Sequence, residues 1–321
     1  YKNWVAMIIS STPLRISLFG GSTDNPYFIE KYGTGSVISF ACDLKTYVSI
    51  SQDKFGKNYM DGKYMINYSQ REEVDSVFEI KNDIVRLVFD YFKVPPVLVT
   101  LTSDVFSNGS GLASSSSYFI SLIKAVSTFL KKDLSDAEIC KIAFELEQKM
   151  NPYCGYQDPY GCGIGGFKKM DFFPDGSVRY EFLPTDIFNE FDMHLIFTGV
   201  TRNSLTVLKN VTDTIDNAFP LLETVADAYK AISNKDHELF LQLFNKSWEQ
   251  KKQTSSIITE NETIKEMDEN LKLNPTVLGH KLCGAGNGGF FLVFSKKRDL
   301  SIPYNYVNVK MCVDGTKTNI L

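Results

Sequence analysis

At 321 residues, 43% hydrophobic and 22% charged, the chain has the apolar content of a large domain or of two packed ones, which excludes a disordered sequence. The net charge of -4 comes with Lys and Arg scattered along the chain, so neither nucleic acid nor an anionic membrane surface is an expected partner, and small ligands are. Six cysteines are too sparse for a disulfide scaffold, three histidines lie too far apart for a transition-metal cluster, and no run approaches a membrane span or a secretory signal, so a cytoplasmic protein is expected.

Residues before Met7 are left out of the fold reading. From Met7 to Ile50 the pattern is strand-like: Leu14, Ile16 and Leu18 alternate, and after a Gly-rich turn so do Leu44, Thr46, Val48 and Ile50. Between Val77 and Phe92, Ile84, Val85, Val88, Tyr91 and Phe92 share one helical stripe, which Pro95-Pro96 ends before the alternating strand Val97, Val99, Leu101. The loop from Ser103 to Gly111 opens into a helix with Phe119, Leu122, Ile123, Val126 and Leu130 at core spacing. Ser135 and Glu138 form a capping-box pattern for a second helix, buried along Ile139, Ile142, Ala143, Leu146 and Met150. Met193, Leu195 and Phe197 alternate toward Gly199 and open a new unit. Helical periodicity then fills about Asn203 to Leu273, with strands at Phe290 to Phe294 and near Tyr306 to Val309. The expected architecture is α+β, with two halves sharing a ligand cleft.

Three segments carry chemistry. In Asn108-Gly109-Ser110-Gly111-Leu112-Ala113-Ser114-Ser115-Ser116-Ser117, between a strand and an amphipathic helix, small residues let backbone N–H groups approach an anion at a helix N-terminus. It lacks the Gly-Lys-Ser/Thr ending of a Walker A loop, and its other reading is a polar loop with ordinary Ser caps. Glu147 lies roughly 80° from the middle of its helix's apolar stripe and can border a buried site. With Asp158 in the loop beyond, it offers one carboxylate for magnesium and one for a substrate hydroxyl, the division of labour in phosphoryl transfer; the alternative is a solvated flank and a loop acid. The run Gly284-Ala285-Gly286-Asn287-Gly288-Gly289 before Phe290 is spelled like a dinucleotide fingerprint, as is Gly161 to Gly166, but neither opens into a helix after a strand. Such a turn can press its backbone against a ligand or against the phosphate loop.

In this order and at these separations the segments resemble the GHMP kinase superfamily (galactokinase, homoserine kinase, mevalonate kinase, phosphomevalonate kinase). Pro13-Leu14-Arg15-Ile16-Ser17-Leu18-Phe19-Gly20-Gly21-Ser22-Thr23-Asp24 looks like its first motif in the form of bacterial heptose kinases and L-fucokinases. Gly155 to Tyr160 and Phe197 to Arg202 look like the D-glycero-D-manno-heptose 7-phosphate kinase branch. The resemblance implies a two-domain fold, ribosomal-protein-S5-domain-2-like over 7–185 and ferredoxin-like over 186–321, with ATP and Mg2+ as cofactors and a sugar phosphate as substrate. It implies ATP binding by Gly109, Ser110, Gly111, Leu112, Ala113, Ser114, Ser115 and Ser116, magnesium on Ser115 and Glu147, and catalysis by Asp158 and Arg15. Sugar contacts would come from Gly20, Gly21, Thr23 and Asp24, with Gly286 and Asn287 also beside the substrate; Arg202, a guanidinium fork, is the candidate for the substrate's own phosphate. The chain departs from the family pattern at Ala113 and Asn287, where glycine is usual, at Pro159, and in lacking prolines near Ser107 and Asn108. Asn tolerates a left-handed backbone, and Ala113 is expected to need none. A kinase of an unphosphorylated sugar such as L-fucose, or a silent sugar- and ATP-binding regulator, are the rival readings.

Overall fold

The opening strand, β1 (Ile8–Phe19), shows why the halves of the molecule cannot be described apart. In the computed structural model, which describes residues 7–52, 62–106, 109–201 and 203–321, it turns Leu14, Ile16 and Leu18 into an apolar cluster that also holds Leu195, Phe240, Phe244 and Phe294 from the second half. Alternation sends Arg15 and Ser17 the other way, toward a cavity.

The helix α1 (Pro26–Tyr32), capped by Asn25, follows, and then β2 (Gly35–Ser51), which runs antiparallel to β1. Next come β3 (Tyr64–Asn67), β4 (Arg71–Val74), α2 (Asp83–Phe92) and β5 (Leu98–Ser103). The site helices are α3 (Ser114–Phe129), α4 (Asp136–Met150) and α5 (Gln157–Ile164), followed by β6 (Phe167–Phe172) and β7 (Val178–Phe182). The strand β2 serves two neighbours on one edge, pairing Gly35–Phe40 with β6 and Thr46–Ser51 with β5. Helices α2, α3 and α4 cover the sheet, with Val85, Phe89, Ile123, Val126, Ile139 and Ala143 packed on Val48, Ile50 and Val99.

The second half contains β8 (Phe191–Phe197), α6 (Ser204–Asp213), α7 (Phe219–Ser233), α8 (His237–Thr254), α9 (Glu262–Leu273), β9 (Val277–Leu282), β10 (Phe290–Lys296) and β11 (Tyr306–Val309). Its sheet is antiparallel throughout, in the order β11-β8-β10-β9. A last strand, β12 (Lys317–Ile320), returns to the first sheet and pairs with β1, which the sequence patterns did not indicate. No helix among the described residues is long and apolar enough to cross a membrane.

Two helix readings change. The stretch from Val77 is not one helix: a 3-10 turn covers Val77–Glu79, Asn82 then caps α2 by accepting from Val85 N, and Tyr91 is exposed while Phe89 takes the buried place. The segment from Gln157 is helical instead of a loop. Pro159 sits in the first turn, where its missing N–H leaves no intrahelical bond unmade. Gly161 and Gly163 are poor helix formers, yet a Cβ on Gly161 would stand 3.0 Å from Arg15 Cγ, and one on Gly163 would meet Cys140 and Ile120. The glycines let α5 lie directly on β1 and α4. Lys168, fully buried, donates to Gly161 O (3.1 Å) and Gly165 O (2.6 Å) and closes the helix's C-terminal end.

Candidate active site

A cavity of about 370 Å³ lies between the halves, walled by β1, the loop before α3, the end of α4, the start of α5 and the turn after β9. Its lining includes an ion pair. Arg15 Nε and Nη2 donate to Asp158 Oδ1 at 2.9 and 2.6 Å, and Nη1 donates to Gly111 O at 2.8 Å. Burial is the largest influence and lowers the guanidinium's pKa, but the opposing contributions, led by the charge of Asp158, together make the net shift upward, so Arg15 stays charged. Asp158 keeps 31% of its side chain exposed, against 3% for Arg15, so the carboxylate meets the cavity and the arginine backs it.

The loop before α3 wraps the same arginine, with Leu112 O accepting from Arg15 N at 3.2 Å. Gly109, Gly111 and Ala113 all have positive φ (69°, 78° and 61°). Ala113 was expected to need no left-handed backbone, and that expectation is corrected: it adopts αL as the residue preceding α3. The conformation disfavours an L side chain by about 1–2 kcal/mol and persists because its surroundings fix it. Arg15 grips the loop from below, and Phe290 N donates to Ser110 O at 3.2 Å from the other side. A Cβ on Gly289 would overlap Ser110 O, so only glycine fits where the turn presses on the loop.

Glu147, 7% exposed near the end of α4, accepts from Ser116 Oγ at 2.5 Å. Burial first, then the charge of Asp158, pushes its carboxyl up to about 7, against the pull of the Ser116 and Ser115 hydroxyls and Arg15. Asp24 is pushed up to about 6 by burial and by Asp158, although Oδ2 accepts from Gln157 N (3.0 Å) and Oδ1 from Ser22 N (3.1 Å). A Cβ on Gly155 would overlap Asp24 Oδ2, so that glycine keeps the acid in place. Asp24, Glu147 and Asp158 thus share the cavity with Arg15, beside a turn of N–H groups at a helix start. Glu147 with the Ser115 hydroxyl offers hard oxygen donors of the kind Mg2+ takes when phosphate oxygens complete its shell.

Of the residues singled out from sequence, Arg15, Gly21, Asp24, Gly109, Ser110, Gly111, Ala113, Ser114, Ser115, Glu147 and Asp158 line the cavity. Others expected there stand behind it. Thr23 is fully buried, its hydroxyl bonded to Gly20 O and Ser36 O, both at 2.8 Å, and a Cβ on Gly20 would overlap Ser36 O. These two shape the turn instead of facing the cavity. Leu112 is core, and Ser116 faces Glu147. Gly286 and Asn287 also lie off the cavity: Gly286 packs on Ile258, and Asn287, left-handed as expected (φ 55°), donates N–H to Ile258 O at 2.7 Å. Their neighbours Gly284 and Ala285 form the wall. Arg202, like Ser107 and Asn108, lies outside the described residues.

Ser17, Gln157, Lys251 and Lys281 are among the cavity residues that were missed. Ser17 was within reach of the sequence pattern, two residues from Arg15 on an alternating strand, and Gln157 adjoins Asp158. Lys251 and Lys281 carried no such signal, because tertiary convergence brings them in from the second half. Lys281 Nζ donates to Leu18 O at 2.6 Å, where the pairing of β1 with β2 is irregular, and burial lowers its pKa to about 8.

Residues 79–166 match the GHMP kinases N terminal domain, and residues 228–302 match the GHMP kinases C terminal. The D-glycero-alpha-D-manno-heptose 7-phosphate kinase of Campylobacter jejuni is 30% identical over 304 residues, 89% of each chain. The chain belongs to the GHMP kinases. In this GHMP kinase the first matched stretch contains Ser115, Glu147 and Asp158 and ends at Gly166, whereas Arg15 and Asp24 precede it. The L-fucokinase/L-fucose-1-P guanylyltransferase of Bacteroides fragilis is 26% identical over 331 residues, covering 89% of this chain but 34% of that protein. The kinase shares its fold with a D-glycero-D-manno-heptose 1-phosphate kinase from Bacteroides thetaiotaomicron, at a TM-score of 0.76 and 20% identity over 98% of this chain and 99% of the other.

Proposed function

We propose that this GHMP kinase transfers the γ-phosphoryl group of ATP to the anomeric hydroxyl of D-glycero-D-manno-heptose 7-phosphate, giving the 1,7-bisphosphate used in nucleotide-activated heptose synthesis. The observation that carries the reading is the Asp158 carboxylate, held by buried Arg15, which itself bonds Gly111 of the helix-start loop. Acceptor activation and phosphate binding thus share one arginine. Similarity to the heptose 7-phosphate kinase of C. jejuni supports this substrate over other sugars.

In this reading Asp158 accepts the proton of the attacking hydroxyl, or orients it, while Arg15 holds the carboxylate and offsets developing charge. The N–H groups of the loop and the start of α3 bind phosphate oxygens. Glu147 and Ser115 would hold Mg2+, which supplies charge neutralisation on the β- and γ-phosphates when bound. Asp24 accepts from sugar hydroxyls, and Arg202 is assigned to the distal phosphate on the chemistry of its guanidinium.

The test is sugar-dependent ADP release with Mg-ATP and heptose 7-phosphate, mannose 6-phosphate, L-fucose, galactose or mevalonate. Heptose 7-phosphate is expected to be preferred by at least about 100-fold in kcat/KM, and Asp158→Ala to lose about 1,000-fold. Turnover of a neutral sugar alone would discard the heptose assignment. Silence across the set despite ATP binding would favour a regulator.

A further inference from the structure

Among the described residues, three side-chain atoms are buried with no hydrogen-bond partner: Ser17 Oγ, Ser39 Oγ and Gln157 Oε1. Ser17 and Gln157 both line the active-site cavity, at 8% and 5% exposure, whereas Ser39 sits behind as the register partner of Ser17 on β2. Orphaned polar atoms of this kind are rare in folded proteins and call for a reason. Their positions are specific. Ser17 lies two residues beyond Arg15 on the same strand, and Gln157 immediately precedes Asp158 at the start of α5, so each flanks one member of that ion pair. The Gln157 backbone is fixed by its N–H bond to Asp24 Oδ2 at 3.0 Å. At Gly21 a Cβ would stand 3.3 Å from Ser17 Oγ, so the bare glycine leaves room beside that hydroxyl.

We propose that Ser17 and Gln157 recognise the sugar hydroxyl on the carbon adjacent to the one phosphorylated. The inference rests on the sugar-kinase reading and deepens it. With the reacting hydroxyl at Asp158, its neighbour on the ring falls within one hydrogen-bond length of it, beside the two orphaned atoms. That hydroxyl donates to Gln157 Oε1 and accepts from the Ser17 hydroxyl, satisfying both at once. A substrate lacking it leaves both atoms unpaired, which gives discrimination that shape alone does not.

The test compares D-glycero-D-manno-heptose 7-phosphate with its 2-deoxy analogue in the wild type, Ser17→Ala and Gln157→Met. The wild type is expected to prefer the parent sugar by about 100-fold in kcat/KM. Either variant should cut that preference to about tenfold or less by losing rate on the parent sugar only, leaving the KM for ATP and the rate on the analogue nearly unchanged. Both empty variants should melt at or above the wild-type temperature, since each removes an unsatisfied atom. An unaltered preference in the variants overturns the proposal, as does a fall of several degrees in both melting temperatures, which would assign the two atoms to the fold. Absence of sugar-dependent ADP release by the wild type overturns the kinase reading and this inference with it, an outcome distinct from the other two.

Discussion

Glu147 shows how function and stability pull apart at a single side chain. Its folded-state pKa of about 7 lies above the ordinary 4.5, so the fold binds this proton more tightly than the unfolded chain does. That contribution is fully present below about pH 4.5 and is lost as pH rises through about 7, on the order of 3 kcal/mol in all. Asp24, raised to about 6, acts in the same direction. The empty enzyme should therefore melt higher at pH 5.5 than at pH 8. Glu147→Gln should raise the pH 8 melting temperature by several degrees and flatten that slope, while lowering turnover at least about 100-fold. Calorimetry at the two pH values checks it. A variant that melts lower at pH 8, or keeps the wild-type slope, would show that the acid is held charged by something other than the groups seen around it.

Among the elements, the turn before β10 and the loop before α3 act as one unit. Gly289, at φ 94°, rests on Ser110, while Gly33, at φ 75°, ends α1 with nothing within 4 Å of where a Cβ would go. Gly289→Ala should displace the loop and raise the KM for ATP at least about tenfold, whereas Gly33→Ala should cost about 1 kcal/mol of stability and leave ATP affinity alone. Nucleotide titration of the two variants separates conformational strain from contact with the loop; equal ATP affinities would refute the coupling. What sequence reveals about such elements depends on how local their cause is. The box of Ser135 and Glu138 that starts α4 is written within four residues and was legible, with Glu138 N bonded to Ser135 Oγ at 3.3 Å. The helix α5 was not, because Gly161 and Gly163 argue against a helix locally and are explained only by Arg15 and Cys140 lying against it. Ala113 was misjudged for the same reason: the clamp that holds its backbone left-handed comes from β1 and from the turn before β10, both distant in sequence. The short, mostly exposed β12 lacks an apolar alternation that would announce it.

Across the whole molecule, the cavity is a product of the way the halves interlock. The apolar face of β1 is buried by residues of α7, α8 and the second sheet, β12 closes back on β1, and Lys281 from the second half reaches Leu18 of the first. Each contact bears on the strand that carries Arg15 and Ser17, so the floor of the site is fixed from both sides. The sequence suggested two halves sharing a cleft, but the return of β12 to β1 and the lysines of the second half could be found only once the chain was folded. In the proposed reaction Asp158 and Arg15 direct phosphoryl transfer to an anomeric hydroxyl. The most direct measurement is phosphorus NMR of heptose 7-phosphate incubated with Mg-ATP and the enzyme. A new phosphate resonance coupled to the anomeric proton, appearing with ADP and absent with Asp158→Ala, is the predicted result. A phosphate on any other carbon, or the same product formed at wild-type rate by Asp158→Ala, would contradict it.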